Sequence, residues 1–581
     1  MSRFETLILE TGEGSNFFEL IYQEYLRDFN HRDELGRVLA YMHNDGKLDI
    51  VAEYTKLRRS VVEQKFFTIR HVLSDALPLL KAPSKDIWTC IKHIIKEAET
   101  DLSAFWIEEA FTKFCKASPE RPVEMIDLEL ENFDSTVQLL SSSLYAGSTF
   151  DLSRYLNKAL DLFSNQTIEI VQAAIFAIGR MDFGGDVELI TKAFGSIQTK
   201  CLSNISSDTL LATALMTLNK LTQLEPSLTS QLMAFINMNA SSDNILFIHA
   251  TTEILSRDHS LLSKDIKSAL LEVAKLVKAE NNKSISNLDF YLSDCSKDDF
   301  LTVVDIIEFI FINTKFTISI NNFINLRNTL VQSPYQNLEF LITRWFLKRD
   351  ISYGKMCLDC FSEEEDGRDI ELRFDSSLLN QENIHLYLVK KACGWFFTKP
   401  ITATSLITSL IETGSDEELG EMANIVFNPL LISYSGGVKD YLLRLKESST
   451  PKVISFCDEV LSRLVIYHEG LSEALKLKEL KPSVEHRELY NRLHEQQMNE
   501  LMVKARERSF FASLFHESVL LYGRKSINYI YRGDHRTRQE TPLHTISHSI
   551  EFPSMSHLDP HSLDEILLVF RLEGCINETH Y

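Results

Sequence analysis

The sequence predicts a mainly α-helical protein built of stacked helix hairpins, with a small element of mixed helix and strand at its C-terminal end. Three observations carry this expectation. From about Arg58 to Asp350 the chain is a succession of amphipathic segments of helical length, separated by short polar breaks. Such a segment buries one apolar face against its neighbours and leaves the other in water. Within that stretch, similar short peptides return at the spacing of a two-helix unit. Near the C-terminus, by contrast, apolar residues begin to alternate, which is the period of a strand.

Composition narrows the classes of function. With 581 residues, 44% of them hydrophobic and 24% charged, the chain has enough apolar surface to fold around large cores. A net charge of −22 repels phosphate over most of the surface, so any contact with nucleic acid has to be local. The opening "MSRFETLILETGEGSNFF" places glutamates where an export signal needs a positive region and an unbroken apolar run, so export by that route is not expected. No membrane contact is expected either. The most apolar window, "FLTVVDIIEFIFINTKF", is interrupted by Asp305, Glu308 and Lys315, whereas a span needs about 20 mostly apolar residues. It reads as a buried helix. Nine scattered cysteines, with Cys357 and Cys360 the one close pair, fit reduced thiols in the cytoplasm rather than a disulfide framework, and no cofactor is expected.

Residues 1–57 read as an N-terminal helical segment and residues 58–350 as helical repeats. "AIFAIGR" from Ala174, "ALMTLNK" from Ala214 and "ATTEILS" from Ala250 each begin with a small residue and place Ile178, Leu218 or Ile254 four positions later. Small residues allow close helix approach, and the i, i+4 pair supplies a core stripe. On this periodicity, about half of the chain resembles the HEAT and armadillo class of α-solenoids, although the proline and arginine marks of such repeats are not regularly placed. The resemblance implies stacked helix pairs that present an extended concave surface to a protein partner. It carries no functional residue with it.

Residues 351–380 read as an acidic loop with a short strand: Glu363 to Asp366 make an exposed turn, and Ile370, Leu372 and Phe374 alternate. Residues 381–481 form a second helical block, punctuated by Pro400, Gly414, Pro429 and "SYSGGVK". In it, "KKACGWFFTK" sets Lys390, Lys391 and Lys399 beside Trp395, Phe396 and Phe397, and aromatics at helical spacing read as core rather than as a ligand groove. Residues 482–523 contain no proline after Pro482 and no glycine before Gly523, which allows one helix of about 40 residues. Its first half is polar on nearly every face, with Leu489, Leu493 and Leu501 as isolated anchors. Its second half carries Phe510, Phe511, Leu514, Phe515 and Val519. A helix polar all round bridges or pairs with something.

Residues 524–581 read as a small α+β cap. Ile527, Tyr529 and Tyr531 alternate, as do Ile546, Ile550 and Phe552, which predicts two strands joined by a loop from Arg532 to Leu543. Asp559 and Pro560 then open a helix whose face is Leu563, Ile566, Leu567 and Phe570, and Gly574 closes it.

This cap holds the candidate site. From Leu501 to Glu540 eight basic residues face four acidic ones, a local balance of +4 inside a chain of −22. Guanidinium groups pair with phosphate oxygens and tyrosine rings offer stacking surfaces, so Arg524, Lys525, Arg532, His535, Arg536 and Arg538 are the candidates for gripping nucleic acid or an acidic protein. The plainer reading is a solvated loop with ordinary surface pairs. His544 and His548 invite a metal, but on a strand four residues span about 13 Å, too far for joint ligation, so no metal is expected. The chain contains no phosphate loop, dinucleotide fingerprint, nucleophile elbow or H-E-x-x-H motif. The expected function is therefore a non-catalytic scaffold or adaptor, in context a subunit of a bacterial DNA-related or anti-phage defence system. The alternative is an enzyme or metal-dependent effector with its site around Asp534, His535, His544 and His548.

Overall fold

The computed structural model describes residues 15–27, 32–98, 105–134, 139–202, 207–241, 243–361, 369–379, 384–447, 449–477, 481–508, 525–532, 535–542 and 551–575. They are mainly helical. The chain divides into two compact units, Met1–Thr329 and Leu330–Tyr581.

The first unit begins with helices that share one apolar core, in which Phe17, Tyr54, Phe66, Leu73, Ile91 and Phe111 are fully buried or nearly so. The Tyr54 hydroxyl is satisfied there by donating to the Ile69 carbonyl at 2.9 Å. Nine helices then follow in a regular pattern: α1 Leu140–Ser148, α2 Leu152–Asp161, α3 Ile168–Arg180, α4 Val187–Leu202, α5 Asp208–Leu224, α6 Thr229–Asn239, α7 Ile245–Asp258, α8 Lys264–Ala274 and α9 Asn282–Cys295. Each odd-numbered helix packs on the next odd one, from α1 to α9, while α2 packs on α4 and α6 on α8. The two layers thus alternate along the chain.

Local chemistry explains where these helices start. Asp151, Ser207, Asn244 and Ser263 cap α2, α5, α7 and α8, each accepting a hydrogen bond from a backbone N–H in the first turn. The anchors Ala174, Ala214 and Ala250 and their partners Ile178, Leu218 and Ile254 lie on α3, α5 and α7 and are all buried. Close approach is visible where α1 meets α2, since a Cβ at Gly147 would fall 2.0 Å from the Tyr155 ring. Side chains also join successive helices of the odd layer: Gln172 Nε2 donates to Thr213 Oγ1 at 3.1 Å, and the Thr217 hydroxyl donates to the Ile175 carbonyl at 3.1 Å.

The apolar window after α9 is a packed helix, Phe300–Asn313. It buries Val304, Ile307, Ile310 and Phe311 and exposes Leu301, Phe309 and Ile312. Among the described residues no helix is long and apolar enough to cross a membrane. The nine cysteines are thiols, none in a disulfide; Cys357 and Cys360 are buried, and burial pushes the Cys357 thiol well above its usual value.

The second unit contains α10 Gln336–Leu347, α11 Ile351–Asp359, α12 Ile384–Phe396, α13 Pro400–Thr408, α14 Asp416–Ile425, α15 Gly437–Glu447, α16 Pro451–Ala474 and α17 Val484–Arg508, then strands β1 Lys525–Arg532 and β2 His535–Pro542, and finally α18 Pro560–Leu572. The alternation of Ile370, Leu372 and Phe374 does not build a sheet. That segment runs extended between helices, and side-chain oxygens take the place of a partner strand. The N–H groups of Ile370, Leu372 and Phe374 donate to Thr402 Oγ1, Ser405 Oγ and Ser409 Oγ at 3.1, 2.9 and 3.1 Å. Those of Arg373 and Asp375 donate to Glu339 Oε1 and Thr343 Oγ1 on α10, at 2.8 and 2.9 Å. Every other N–H faces one helix and the intervening ones the opposite helix, as the two-residue period of extended chain requires. The acidic run Glu363 to Asp366 lies outside the described residues.

A second correction concerns the hairpin. The strand pairing β1 is not the stretch around Ile546 to Phe552 but His535–Pro542, most of the segment expected to be a loop. Two residues, Gly533 and Asp534, separate the strands in sequence, a spacing that favours a tight antiparallel hairpin over a long loop. The second strand carries no apolar alternation and so gives no strand signal in the sequence. Ile546 and Ile550 lie outside the described residues, and Phe552 is in irregular, exposed chain.

Candidate functional site

The site is built on a segment that leaves the helical block and returns to it. Departure begins in α16, which is anchored as far as Leu464 by Val453, Phe456, Val460 and Leu464 and beyond it exposes Val465, Ile466 and Leu471. Along α17, every residue from Val484 to Lys504 is exposed except Met498, which is half-buried. A helix whose apolar residues share no face has nothing to bury. Among the described residues it meets the return segment locally: the Tyr490 hydroxyl lies 3.2 Å from His557 Nδ1, and the His494 and His557 rings stand edge to face at 5.7 Å. Phe510, Phe511, Leu514, Phe515 and Val519 lie outside the described residues.

Beyond α17 comes the antiparallel hairpin. Its register pairs Tyr529 with Arg538, Tyr531 with Arg536 and Arg532 with His535. Alternate positions of a ladder belong to opposite faces. The pairs 529/538 and 531/536 therefore share one parity of the ladder, and the pair 532/535 has the other. Of the six candidate binding residues, Lys525 opens β1 and Arg532 ends it, and His535, Arg536 and Arg538 lie on β2. Arg524 lies outside the described residues, as do Asp534, His544 and His548. Among the described residues no cluster of three or more His, Cys, Asp or Glu side chains is placed to hold a metal ion.

The return is fastened at three places that the sequence alone does not reveal. The Glu551 carboxylate accepts from Gly436 N at 2.6 Å and from Gly437 N at 2.8 Å, at the start of α15. Unpaired N–H groups at a helix start favour an anion, and here the chain supplies its own. Three residues on, the Ser554 N–H donates to the Ser433 carbonyl at 3.1 Å and its hydroxyl to the Ile432 carbonyl at 2.6 Å. Then α18 packs on α12.

The third fastening is a buried cation. Lys391, only 2% exposed, donates from Nζ to the carbonyls of Phe570, Arg571 and Glu573 at 3.0, 2.6 and 2.8 Å. These are the carbonyl groups that the end of α18 leaves without helical partners, and a positive charge there also complements the helix dipole. Burial lowers the Lys391 pKa, opposed by the nearby Cys575 and Glu573. Lys390 adds an ion pair with Glu573 at 2.6 Å. Trp395, Phe396 and Phe397 are buried, as expected of core aromatics. The missed signal was Lys391 itself, a lysine inside an apolar helix, since a long charged side chain is almost never fully buried without partners. The two glycines of "SYSGGVK" were visible as well, but their partner lies more than a hundred residues away. No family model matches this chain, and no curated protein and no solved structure matches it.

Proposed function

We propose that this chain is a non-catalytic adaptor with two binding surfaces. The first is its helical array, read as an α-solenoid of HEAT-like hairpins that binds a protein partner. The second is the C-terminal α+β cap, whose basic hairpin contacts nucleic acid through Arg532, Arg536 and Arg538, with an acidic protein as the competing ligand of the same charge.

One observation carries the reading: α17 is exposed from Val484 to Lys504 apart from Met498, yet the chain beyond the hairpin is fastened back at Glu551, Ser554 and Lys391. A polar helix held away from a core, with both ends of its excursion secured, suits presentation of what it carries. What it carries is a locally basic stretch of a strongly acidic protein. The parity that positions Tyr529 and Tyr531 share with Arg536 and Arg538, though not with Arg532, supports nucleic acid, because aromatic rings and guanidinium groups together bind single strands without sequence preference.

The test is recovery of the tagged intact chain from its own host, beside a variant with Arg532, Arg536 and Arg538 replaced by alanine. The intact chain should bring a protein partner in comparable amount together with nucleic acid, and the variant should keep the protein and lose the nucleic acid. An intact chain that comes down alone ends the adaptor reading.

A further inference from the structure

A cavity of about 360 Å³ is lined by the last turns of α5, the first residue of α6 and the chain that leads into α8. Leu262 and Ile266 form an apolar wall, and no charged residue lines it. Two carboxamides line it from α5, Asn219 and, four residues on, Gln223. Residues four apart on a helix share one face. The Thr222 and Thr229 hydroxyls are already committed, since they donate to the Leu218 and Pro226 carbonyls at 2.8 Å.

Asn219 is only 2% exposed, and its orientation is fixed from behind. Its Nδ2 donates to Asp258 Oδ2 on α7 at 3.3 Å. A carboxylate only accepts, so Oδ1 is the amide atom that Asp258 leaves over. Asp258 is in turn paired with Arg257 Nε at 2.9 Å. Asn219 Oδ1 has no hydrogen-bond partner among the described residues, and neither has Gln223 Nε2. Buried polar groups are nearly always paired, so an acceptor and a donor left over together on one wall of a cavity call for an explanation. A single group that donates to the first and accepts from the second supplies it.

We propose that this cavity binds a small neutral molecule carrying a secondary amide within a ring, whose N–H donates to Asn219 Oδ1 and whose carbonyl accepts from Gln223 Nε2. Neutrality follows from the lining, because a charge moved out of water there finds no counter-ion. The ring follows from geometry: a trans amide points its N–H and C=O in opposite directions, whereas a ring holds the amide cis and turns both toward one helix face. Leu262 and Ile266 then cover the ring, and the volume lies at the small end of ligand pockets, with room for one or two fused rings. The proposal goes beyond the adaptor reading and uses none of the hairpin residues on which that reading turns.

The probe is 2-quinolinone, a two-ring lactam, titrated calorimetrically into the full chain. Its control is N-methyl-2-quinolinone, which keeps the carbonyl and loses the N–H. The lactam should bind with a Kd on the order of 0.1 mM, and the control at least about tenfold more weakly. Gln223→Met removes the donor and should weaken the lactam about tenfold. The melting temperature should stay the same or rise, because an apolar group of similar shape replaces an unpaired polar one. Asn219→Leu should abolish the preference for the lactam over its N-methyl control, and if that variant does not fold, Gln223→Met and the control compound decide alone. Competition separates the sources of such an amide: displacement by both uracil and uridine assigns it to a nucleoside, displacement by uracil alone to a free base, and displacement by neither to a lactam outside nucleotides. No binding at millimolar concentration, equal binding of the two quinolinones, or an affinity unchanged in Gln223→Met overturns the inference. So does a crystal structure, grown with the lactam, in which an ordered water alone joins Asn219 Oδ1 to Gln223 Nε2.

Discussion

Lys391 and Arg571 tie α12 and α18 together by hydrogen bonds that run in opposite directions: Lys391 Nζ donates to the Arg571 carbonyl at 2.6 Å, and Arg571 Nε donates to the Gly394 carbonyl at 2.7 Å. The helices lie close at this point, since a Cβ on Gly394 would come within 3.0 Å of Phe570 Cβ. Replacing Lys391 by methionine preserves bulk but removes the ammonium that three carbonyls share. The expected cost is about 1.5–3 kcal/mol, read from urea unfolding. Limited proteolysis should then cut between residues 551 and 559 faster than in the intact chain. An unchanged unfolding midpoint and cleavage pattern would show that α18 is held by its apolar face alone.

The odd-numbered layer of the helical array makes a sharper demand on size. Ala214 is fully buried on α5, the helix that packs on both α3 and α7. Ala214→Leu should destabilise by about 1–3 kcal/mol, because a close-packed interface absorbs added methylenes only by shifting its neighbours. Gly147→Ala should behave likewise against the Tyr155 ring. Met238→Ala serves as the control on an exposed position and should change stability by less than about 0.5 kcal/mol.

Ser405 gives a test of the extended segment. Its hydroxyl is the acceptor for the buried Leu372 N–H at 2.9 Å. Ser405→Ala leaves that N–H without a partner and should cost about 1–3 kcal/mol, whereas Ser405→Thr retains the oxygen and should cost less. Equal effects of the two substitutions would place the segment's stability in packing rather than in the hydroxyl ladder.

Glu418 supplies a dependence on pH. With Ser415 it forms a reciprocal cap at the start of α14: Glu418 Oε2 accepts from Ser415 N at 2.8 Å, and Ser415 Oγ accepts from Glu418 N at 3.3 Å. The Ser415 N–H chiefly holds the carboxyl below its ordinary value of 4.5, with His385 and the Ser415 hydroxyl adding to it against the cost of burial. A depressed folded-state pKa means the contribution is complete above the unfolded value and is lost as pH falls through the folded one. The stability difference between the intact chain and Glu418→Gln should therefore be full near about pH 6 and close progressively below 4.5. A difference that is constant across that range would contradict this assignment.

Local signals in the sequence reached a long way into the fold. The small residues at 174, 214 and 250 are short-range features, and the helices they mark are present and packed as neighbours. The alternation at 370–374 was legible as extended chain, but its partners were not, because they are side-chain oxygens of residues 339, 343, 402, 405 and 409 rather than a second strand. The polar strand β2 was missed because no apolar face announces it. Long-range fastenings such as Glu551 on Gly436 and Lys391 on Arg571 join positions more than a hundred residues apart and leave no periodic trace. Of the candidate site, the residue types were legible and the strand that carries half of them was not.

The most direct test of the adaptor reading is a salt titration of single-stranded RNA and DNA binding by the intact chain and by the variant with Arg532, Arg536 and Arg538 changed to alanine. The expected result is measurable binding by the intact chain. In the variant affinity should fall for all sequences alike, and the slope of log K against log salt should shrink by about 2, the share of three phosphate contacts on a single strand. Undetectable binding by the intact chain, or an identical slope in the variant, would contradict it.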